Sequence, residues 1–272
     1  MSERLKRETA TSLDELREKL ASLGLNYAAD ALADELHEAV KKQVNPIQLI
    51  DQLLSHEIAA RDERRIKTSL KISNLPPGMS LENFEFGFQP SIDRGRIETL
   101  GTCAFIREHT TVLLQGSSGT GKTHLAVGLG VRAVQMGFSV AFYRLDELLQ
   151  EMRKDAGTPI RRLRRKKYLN VSYLVIDEMG FEVMDRDDAS RFFRLINARY
   201  MKGSTVITTN KAIKDWPGIF ANDEAMTVAI LDRLLHRSVI LSISGRSYRI
   251  QGIEAMHGVD GIASTQKGDV KN

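Results

Sequence analysis

Eight residues in the middle of the chain have the types and the spacing to bind a phosphate chain. The stretch Gly116-Ser-Ser-Gly-Thr-Gly-Lys-Thr123 fits the pattern G-x-x-x-x-G-K-[ST] at every fixed position, behind an apolar run and ahead of an apolar helical run. A strand-to-helix turn of this kind points unpaired backbone N–H groups and the positive end of the helix dipole at an anion. The stretch therefore predicts a site for a nucleoside triphosphate.

The side chains of this loop have separate expected tasks. Lys122 is expected to reach the β and γ phosphates, and the Thr123 hydroxyl to ligate Mg²⁺. The glycines let the backbone approach the phosphates closely. The predicted nucleotide-binding residues of the loop are Gly116, Ser117, Ser118, Gly119, Thr120, Gly121, Lys122, Thr123 and His124.

A second apolar run ends in two carboxylates. Four apolar residues at 173–176 are followed by Asp177 and Glu178. At the carboxyl end of a strand beside the phosphate loop, Asp177 would hold Mg²⁺ through water, and Glu178 would polarise the attacking water. The alternative for Glu178 is a plain surface carboxylate. The acidic pair favours hydrolysis of the nucleotide over its transfer to a bound acceptor, as a small-molecule kinase would perform it.

Two further polar residues complete the candidate catalytic set. Asn210 ends the strand-like stretch Val206-Ile-Thr-Thr and is placed to orient the attacking water, although an asparagine after a strand is also a common turn residue. The helix 229–237 carries Arg233 and Arg237. An arginine from a neighbouring subunit can neutralise charge on the transferring phosphoryl group. A solvated helix face is the competing interpretation for both arginines.

The elements that must position these residues alternate along the chain. Short apolar strands between helical segments favour a parallel sheet covered on both faces, which is an α/β fold. The predicted strands are 111–115, 139–143, 173–177, 204–208 and 238–243, and the predicted helices are 92–109, 145–154, 159–167 and 187–201.

The first part of the chain predicts a small all-α domain of three helices. Ser12 and Glu15 have capping-box spacing, and Asn45-Pro46 offers a cap before a third helix that continues to the basic cluster near Lys71. We expect a small helical domain over 1–78, whose basic cluster near Lys71 makes it a candidate for binding DNA or a partner, and a nucleotide-hydrolysing domain over 79–250. Residues 79–91 form its linker, with alternating phenylalanines in extended backbone. Residues 251–272 lack periodicity and predict a disordered tail.

Composition limits the class of protein. The chain has 272 residues, 42% apolar and 27% charged, with a net charge of +4. It contains no apolar run of the roughly 18–20 residues that a membrane helix needs, and its charged start is not typical of a secretory signal. One cysteine, Cys103, allows no internal disulfide. We expect a cytoplasmic protein without a membrane partner.

The ordered motifs together resemble a known family. The combination of the phosphate loop, Asp177-Glu178, the asparagine of Thr-Thr-Asn210, ILDRLLHRS at 230–238 and SYR at 247–249 is similar to the AAA+ ATPases of the IstB/DnaC group. The resemblance is closer to the IstB-like transposition helpers of IS21-type insertion sequences, because LENFEF at 81–86 and FQPSID at 88–93 occur together with LLQGSSGTGKTHLA at 113–126 and with ILDRLLHRS followed by SYR. The likeness covers roughly residues 10–250.

The resemblance implies an AAA+ P-loop NTPase with a five-stranded parallel sheet, ATP and Mg²⁺ as ligands, and nucleotide sites between the subunits of a homo-oligomer. It makes Asn210 the sensor-1 residue, Arg233 the arginine finger and Arg249 the sensor-2 arginine, with Arg246 as the alternative to Arg249. It implies assembly on duplex DNA with ATP and recruitment of an IstA-like transposase. A DnaC-like replicative helicase loader is the alternative function.

A basic segment between the second and third core strands is the candidate DNA contact. The resemblance implies that helices at 145–155 and 159–167 form a wedge that faces DNA, and that its cations contact phosphates without reading bases. A solvated surface is the alternative. The predicted DNA-binding residues are Arg161, Arg162, Arg164, Arg165, Lys166 and Lys167.

Overall fold

The computed structural model describes residues 12–163 and 165–249, so the predicted tail at 251–272 lies outside the described residues. The chain divides into two compact units between Thr68 and Ser69. Among the described residues, no helix is long and apolar enough to cross a membrane.

Three helices make up the N-terminal part of the chain that the structure describes, from Ser12 to Ser73. The Ser12 hydroxyl accepts a hydrogen bond from the Glu15 backbone N–H at 3.2 Å, and the Asn45 side chain accepts one from the Ile47 N–H at 2.9 Å. These contacts confirm the two helix starts that the capping residues predict. The helices are α1 (Leu13–Ser22), α2 (Asn26–Lys42) and α3 (Pro46–Ser73).

The second unit is built on a five-stranded, all-parallel sheet, as predicted. Its strand order is β2-β3-β4-β1-β5, so β4 separates the phosphate-loop strand β1 from the acidic strand β3. All the carboxyl ends therefore meet at one edge. The strands are β1 (Thr111–Gly116), β2 (Val140–Arg144), β3 (Tyr173–Met179), β4 (Ser204–Thr209) and β5 (Ser238–Ile243).

Helices cover both faces of this sheet, because parallel strands carry apolar side chains on both sides. On one face, Leu148, Phe192 and Ile230 from three helices join Leu174 and Ile176 of β3 in a single core cluster. On the other face, the Tyr173 hydroxyl donates a hydrogen bond to the Ala126 carbonyl of α6 at 2.7 Å. The helices involved are α6 (Lys122–Gln135), α7 (Leu145–Lys154), α10 (Arg186–Arg199) and α11 (Glu224–Leu235).

The prediction of one helix over 92–109 is wrong. Two helices occur instead, α4 (Arg94–Gly101) and α5 (Ala104–Arg107). Cys103 between them has φ +58°, a left-handed conformation that an α-helix cannot contain. Apolar spacing alone did not indicate this break.

The linker is not a continuous extended segment. Phe86–Phe88 form one turn of 3₁₀ helix, so the alternating phenylalanines do not lie on the two faces of a strand. Phe84 and Phe86 meet edge to face with ring centroids 4.9 Å apart. Contacts between neighbouring rings, and not the alternation of phenylalanines along the chain, therefore determine the conformation of this segment.

The basic segment is also less helical than predicted. The expected helix over 159–167 is limited to α8 (Ile160–Leu163), and a separate short helix, α9 (Lys167–Asn170), follows. A second 3₁₀ helix, Ile213–Gly218, connects β4 to α11.

Candidate nucleotide site

The phosphate loop joins β1 to α6 at the carboxyl edge of the sheet. Gly121 is the N-cap of α6 with φ +92°, and a Cβ there would lie 2.6 Å from the Phe84 ring. Gly119 has φ +77°, and its Cβ would lie 2.0 Å from the Ser247 hydroxyl oxygen. Both the backbone conformation and the neighbouring chain therefore require glycine at these two positions.

Lys122 is buried at the first helical position after this loop. Its Nζ donates hydrogen bonds to the Gly116 carbonyl at 2.8 Å and the Ser117 carbonyl at 2.6 Å. Burial lowers the pKa of the Lys122 ammonium, Asp177 opposes this effect, and Arg249 adds to it. The ammonium thus lies inside the loop, where the phosphates of a nucleotide would need a positive charge.

Asp177 is buried at the end of β3 and connects three elements. The Thr123 hydroxyl donates to its carboxylate at 2.9 Å and 3.1 Å, and the Thr208 hydroxyl of β4 donates to Oδ1. The prediction that Asp177 lies beside the phosphate loop therefore matches the geometry. The sequence assigned no role to Thr208, which holds the carboxylate from the neighbouring strand.

An irregular strand end brings Glu178 to the same edge. Side chains alternate between faces along a regular strand, yet the β3–β4 register shifts between Ile176 and Met179, and Glu178 has φ +61°. Its backbone N–H donates to the Thr208 hydroxyl at 3.0 Å. Consecutive carboxylates can consequently both reach the site.

Glu178 is not free at this edge. Arg144, the last residue of the adjacent strand β2, places Nη2 2.5 Å from Glu178 Oε2. No local pattern of residues predicts this ion pair, because it depends on which strand lies next to β3. The β2–β3 register, which aligns Arg144 with Asp177, accounts for it.

A cavity of about 450 Å³ opens above these residues, within the range of small-molecule sites. Its lining includes Ser118–His124 of the loop and helix, Glu178 of β3, and Thr208, Thr209 and Asn210. Arg249 also lines it, whereas Arg246 does not. Aromatic residues also line the cavity and were not predicted as part of the site: Phe84, Phe88, Phe181 and Tyr248.

The chain after β5 crosses directly over the phosphate loop. The Tyr248 N–H donates to the Gly119 carbonyl at 3.0 Å, and the Tyr248 ring meets Phe88 edge to face. Gln89 Nε2 donates to the Arg246 carbonyl at 2.8 Å. The linker and the segment after β5 thus enclose the cavity from two sides, and this placement carries the Arg249 side chain to it.

Arg233 lies at the opposite edge of the sheet. It lines a small cavity with Thr111 and Thr205, which stand at the amino ends of β1 and β4. A strand rises about 3.3 Å per residue, so the six-residue β1 separates the two edges by roughly 17 Å. The structure therefore does not bring Arg233 to the nucleotide cavity of its own chain.

The predicted DNA-binding residues have different surroundings. Arg162 and Arg165 are exposed. Lys166 forms an ion pair with buried Asp155 at 2.6 Å, and Lys167 donates to the Ile72 carbonyl. Arg164 and the side chain of Arg161 lie outside the described residues. Two of the six cations are thus exposed, and two are engaged within the fold.

Comparison with known proteins agrees with this site. Residues 18–255 match the family model of the IstB-like ATP binding proteins. The chain belongs to this family. It is 40% identical over 241 residues to an insertion sequence IS21 ATP-binding protein of Pseudomonas aeruginosa, covering 88% of this chain and 89% of the relative. It is 34% identical to an insertion sequence IS232 ATP-binding protein of Bacillus thuringiensis subsp. berliner, covering 88% and 96%.

Solved structures support the fold of this IstB-like protein. The crystal structure of the DnaC helicase loader superposes with a TM-score of 0.52 at 20% identity, covering 61% of this chain and 97% of that chain. At this identity the likeness concerns the fold alone. The protein is accordingly an AAA+ ATPase of the IstB-like family with the α/β architecture of the DnaC group.

Proposed function

We propose that this AAA+ ATPase assembles with ATP on duplex DNA, selects or remodels target DNA, and recruits or stimulates an IS21-type transposase. ATP hydrolysis would end the assembled state. The observation that carries the proposal is the separation of the nucleotide cavity from Arg233 at the opposite edge of the same sheet. If Arg233 acts on ATP, it must act on the nucleotide of a neighbouring subunit.

Within one subunit, the residues around the cavity have distinct proposed roles. Lys122 and the N–H groups of residues 118–124 bind the phosphates, and Arg249 adds a positive charge beside them. Glu178 accepts the proton of the attacking water once it leaves Arg144, and Asn210 orients that water. The aromatic side chains of the lining are the proposed contacts of the base.

The donor set also fits Mg²⁺. This cation binds oxygen ligands and is usually held by one or two protein groups together with substrate phosphates. The Thr123 hydroxyl and the Asp177 carboxylate, 2.9 Å apart, offer such a pair beside the phosphate loop. When bound, Mg²⁺ neutralises charge that develops on the phosphates. Thr208 keeps the Asp177 carboxylate in place.

A neighbouring subunit would complete the site. Heterologous contacts join two different surfaces of one protein and can repeat from subunit to subunit. If the edge that carries Arg233 faces the next subunit's cavity, each site receives one arginine in trans. An arginine in this role accelerates phosphoryl transfer by roughly 10³–10⁵. Hydrolysis would then depend on assembly.

The partners are proposed from the family and from surface charge. The similar proteins of Pseudomonas and Bacillus are named as ATP-binding proteins of insertion sequences, which suggests a transposase as the protein partner. Exposed Arg162 and Arg165 supply the candidate DNA contact. We also propose that the N-terminal helices, residues 1–78, bind DNA or the partner.

A capture experiment tests this function. Duplex DNA is immobilised, the protein is added with ATP, with ADP or without nucleotide, and an IstA-like transposase of an IS21-type insertion sequence is then supplied. We expect the protein to be retained with ATP only, and the transposase to be retained only through it. Transposase binding that is indifferent to this protein and to ATP would contradict the proposal.

The same experiment distinguishes the proposed role in transposition from the role of a replicative helicase loader. A replicative helicase loader would retain the host replicative helicase and not the transposase. The fold is shared with the DnaC helicase loader, so the motor domain alone does not distinguish the two. Selective retention of the helicase would replace the transposition role with the loading role.

A further inference from the structure

Arg233 is held by its own subunit in a defined position. Its Nε donates to Asn197 Oδ1 at 2.9 Å, and its Nη1 donates to the Ala229 carbonyl one helical turn earlier at 2.8 Å. The guanidinium carbon lies 4.9 Å from the centre of the Phe193 ring. Two hydrogen bonds and one ring face thus determine the plane and the direction of this side chain.

The remaining edge of the guanidinium is available. Within the described residues, Nη2 of Arg233 has no hydrogen-bond or ion-pair partner, and no carboxylate neutralises the group. An arginine has five N–H donors in a rigid fork, of which the Asn197 and Ala229 bonds use two. The Arg233 guanidinium is therefore oriented by its own subunit, and three of its N–H donors remain available to a ligand.

Both supporting side chains come from α10. Phe193 and Asn197 are separated by four residues, so they lie on one face of this helix. Phe193 is half-buried and packs against the core cluster, which makes it a firm support. Asn197 is exposed, and its bond to Arg233 is the only hydrogen bond recorded for its side chain among the described residues. Because Asn197 is exposed and is not needed for packing, its side chain is free to position Arg233.

From this geometry, we propose that Asn197 and Phe193 are positioning residues that present Arg233 to the nucleotide of a neighbouring subunit. This inference rests on the proposed function, in which Arg233 acts in trans. A mobile arginine loses rotamer entropy when it binds, and holding it beforehand removes part of that cost. Asn197 and Phe193 contribute to turnover through Arg233 and touch no nucleotide of their own subunit.

Mixed oligomers can test this inference. Glu178→Gln subunits keep Arg233 but lack the proposed base, whereas Arg233→Ala subunits keep the base but have no arginine to donate. Each variant alone should be nearly inactive. An equimolar mixture should regain activity, since random heterologous contacts pair a competent cavity with a competent arginine at about one interface in four.

Asn197→Ala is then placed on one component at a time. On the Glu178→Gln subunits, which donate Arg233, it should lower the regained rate by roughly ten- to one-hundredfold, as expected for a lost hydrogen bond to a charged group. On the Arg233→Ala subunits it should change nothing. Phe193→Leu on the donating subunits should lower the rate by about two- to fivefold, as expected for a lost cation–π contact.

Kinetic parameters and a control variant distinguish a positioning role of Asn197 from a role in subunit assembly. Asn197→Ala should lower kcat while leaving the KM for ATP and the protein concentration at half-maximal rate unchanged. Arg194→Ala, which replaces an exposed side chain one turn earlier on α10, is the matched control and should leave the regained rate unchanged.

The outcomes are distinguishable. If the two parent variants regain no activity when mixed, the proposed trans site itself fails. If they regain activity and Asn197→Ala is harmless on the donating subunits, or equally harmful on both components, the positioning role is overturned. Loss confined to the donating subunits, in kcat alone, supports it.

Discussion

The ion pair between Arg144 and Glu178 leads to the most specific mutational prediction. Arg144 Nη2 lies 2.5 Å from Glu178 Oε2, so the proposed base is paired with a cation from the neighbouring strand. The pair restrains the carboxylate, so turning it toward a water at the nucleotide competes with keeping the contact to Arg144. Arg144→Ala removes the restraint, and we expect the ATPase rate of the assembled protein to rise.

The size of the effect follows from exposure. The two side chains are 53% and 32% exposed, and ion pairs at such positions contribute about 0.2–1 kcal/mol. Since RT is about 0.59 kcal/mol, removing the pair should raise kcat by at most roughly fivefold. The KM for ATP should change little, because Arg144 is not among the residues that line the cavity.

Steady-state ATP hydrolysis at saturating protein and duplex DNA is the assay. Asp146→Ala is the matched control, because Asp146 lies 3.8 Å from Arg144 and its removal cannot release Glu178. That variant should keep the wild-type rate. A fall in kcat for Arg144→Ala would refute the restraint and make Arg144 a group that turnover requires.

Three further predictions concern other parts of the site. Glu178→Gln should keep ATP binding but slow turnover by at least roughly a hundredfold, leaving the protein on duplex DNA; rapid release measured by anisotropy would contradict the role of the base. Replacing Arg162 and Arg165 with alanine should weaken DNA binding equally for all sequences and reduce the salt slope by about 1.8, or 0.9 per lost phosphate contact; an unchanged slope would assign both arginines to a solvated surface. Gly119→Ala should weaken ATP binding at least roughly tenfold in calorimetry, because a methyl group would meet Ser247 at φ +77°, whereas Gly87→Ala has open space and should bind normally.

Much of the fold could be predicted because its elements carry local signals. Residues 238–243 form β5 as expected, and β1 and β4 extend one residue past their predicted ends. The caps at Ser12 and Asn45 act within three residues of themselves, so their effect is visible in the sequence. The break at Cys103 was missed because a left-handed residue with an apolar side chain has no local signature.

The candidate nucleotide site likewise contains residues that local motifs predict and contacts that only the folded chain reveals. The phosphate loop and the acidic pair are contiguous motifs with a fixed chemistry, so their positions could be read from spacing. The contact between Gln89 and Arg246 joins residues 157 apart in the chain. The Arg144–Glu178 pair likewise depends on strand order and register, which are properties of the assembled sheet. Neither could be derived before the topology was known.

The central claim is that one subunit holds an incomplete ATPase site that a neighbour on DNA completes. The most direct measurement is the ATPase rate per subunit as a function of protein concentration, with and without duplex DNA. We expect the rate per subunit to rise cooperatively with concentration, and DNA to move that rise to lower concentrations. A rate per subunit that is independent of both would contradict the account, because each chain would then hydrolyse ATP alone.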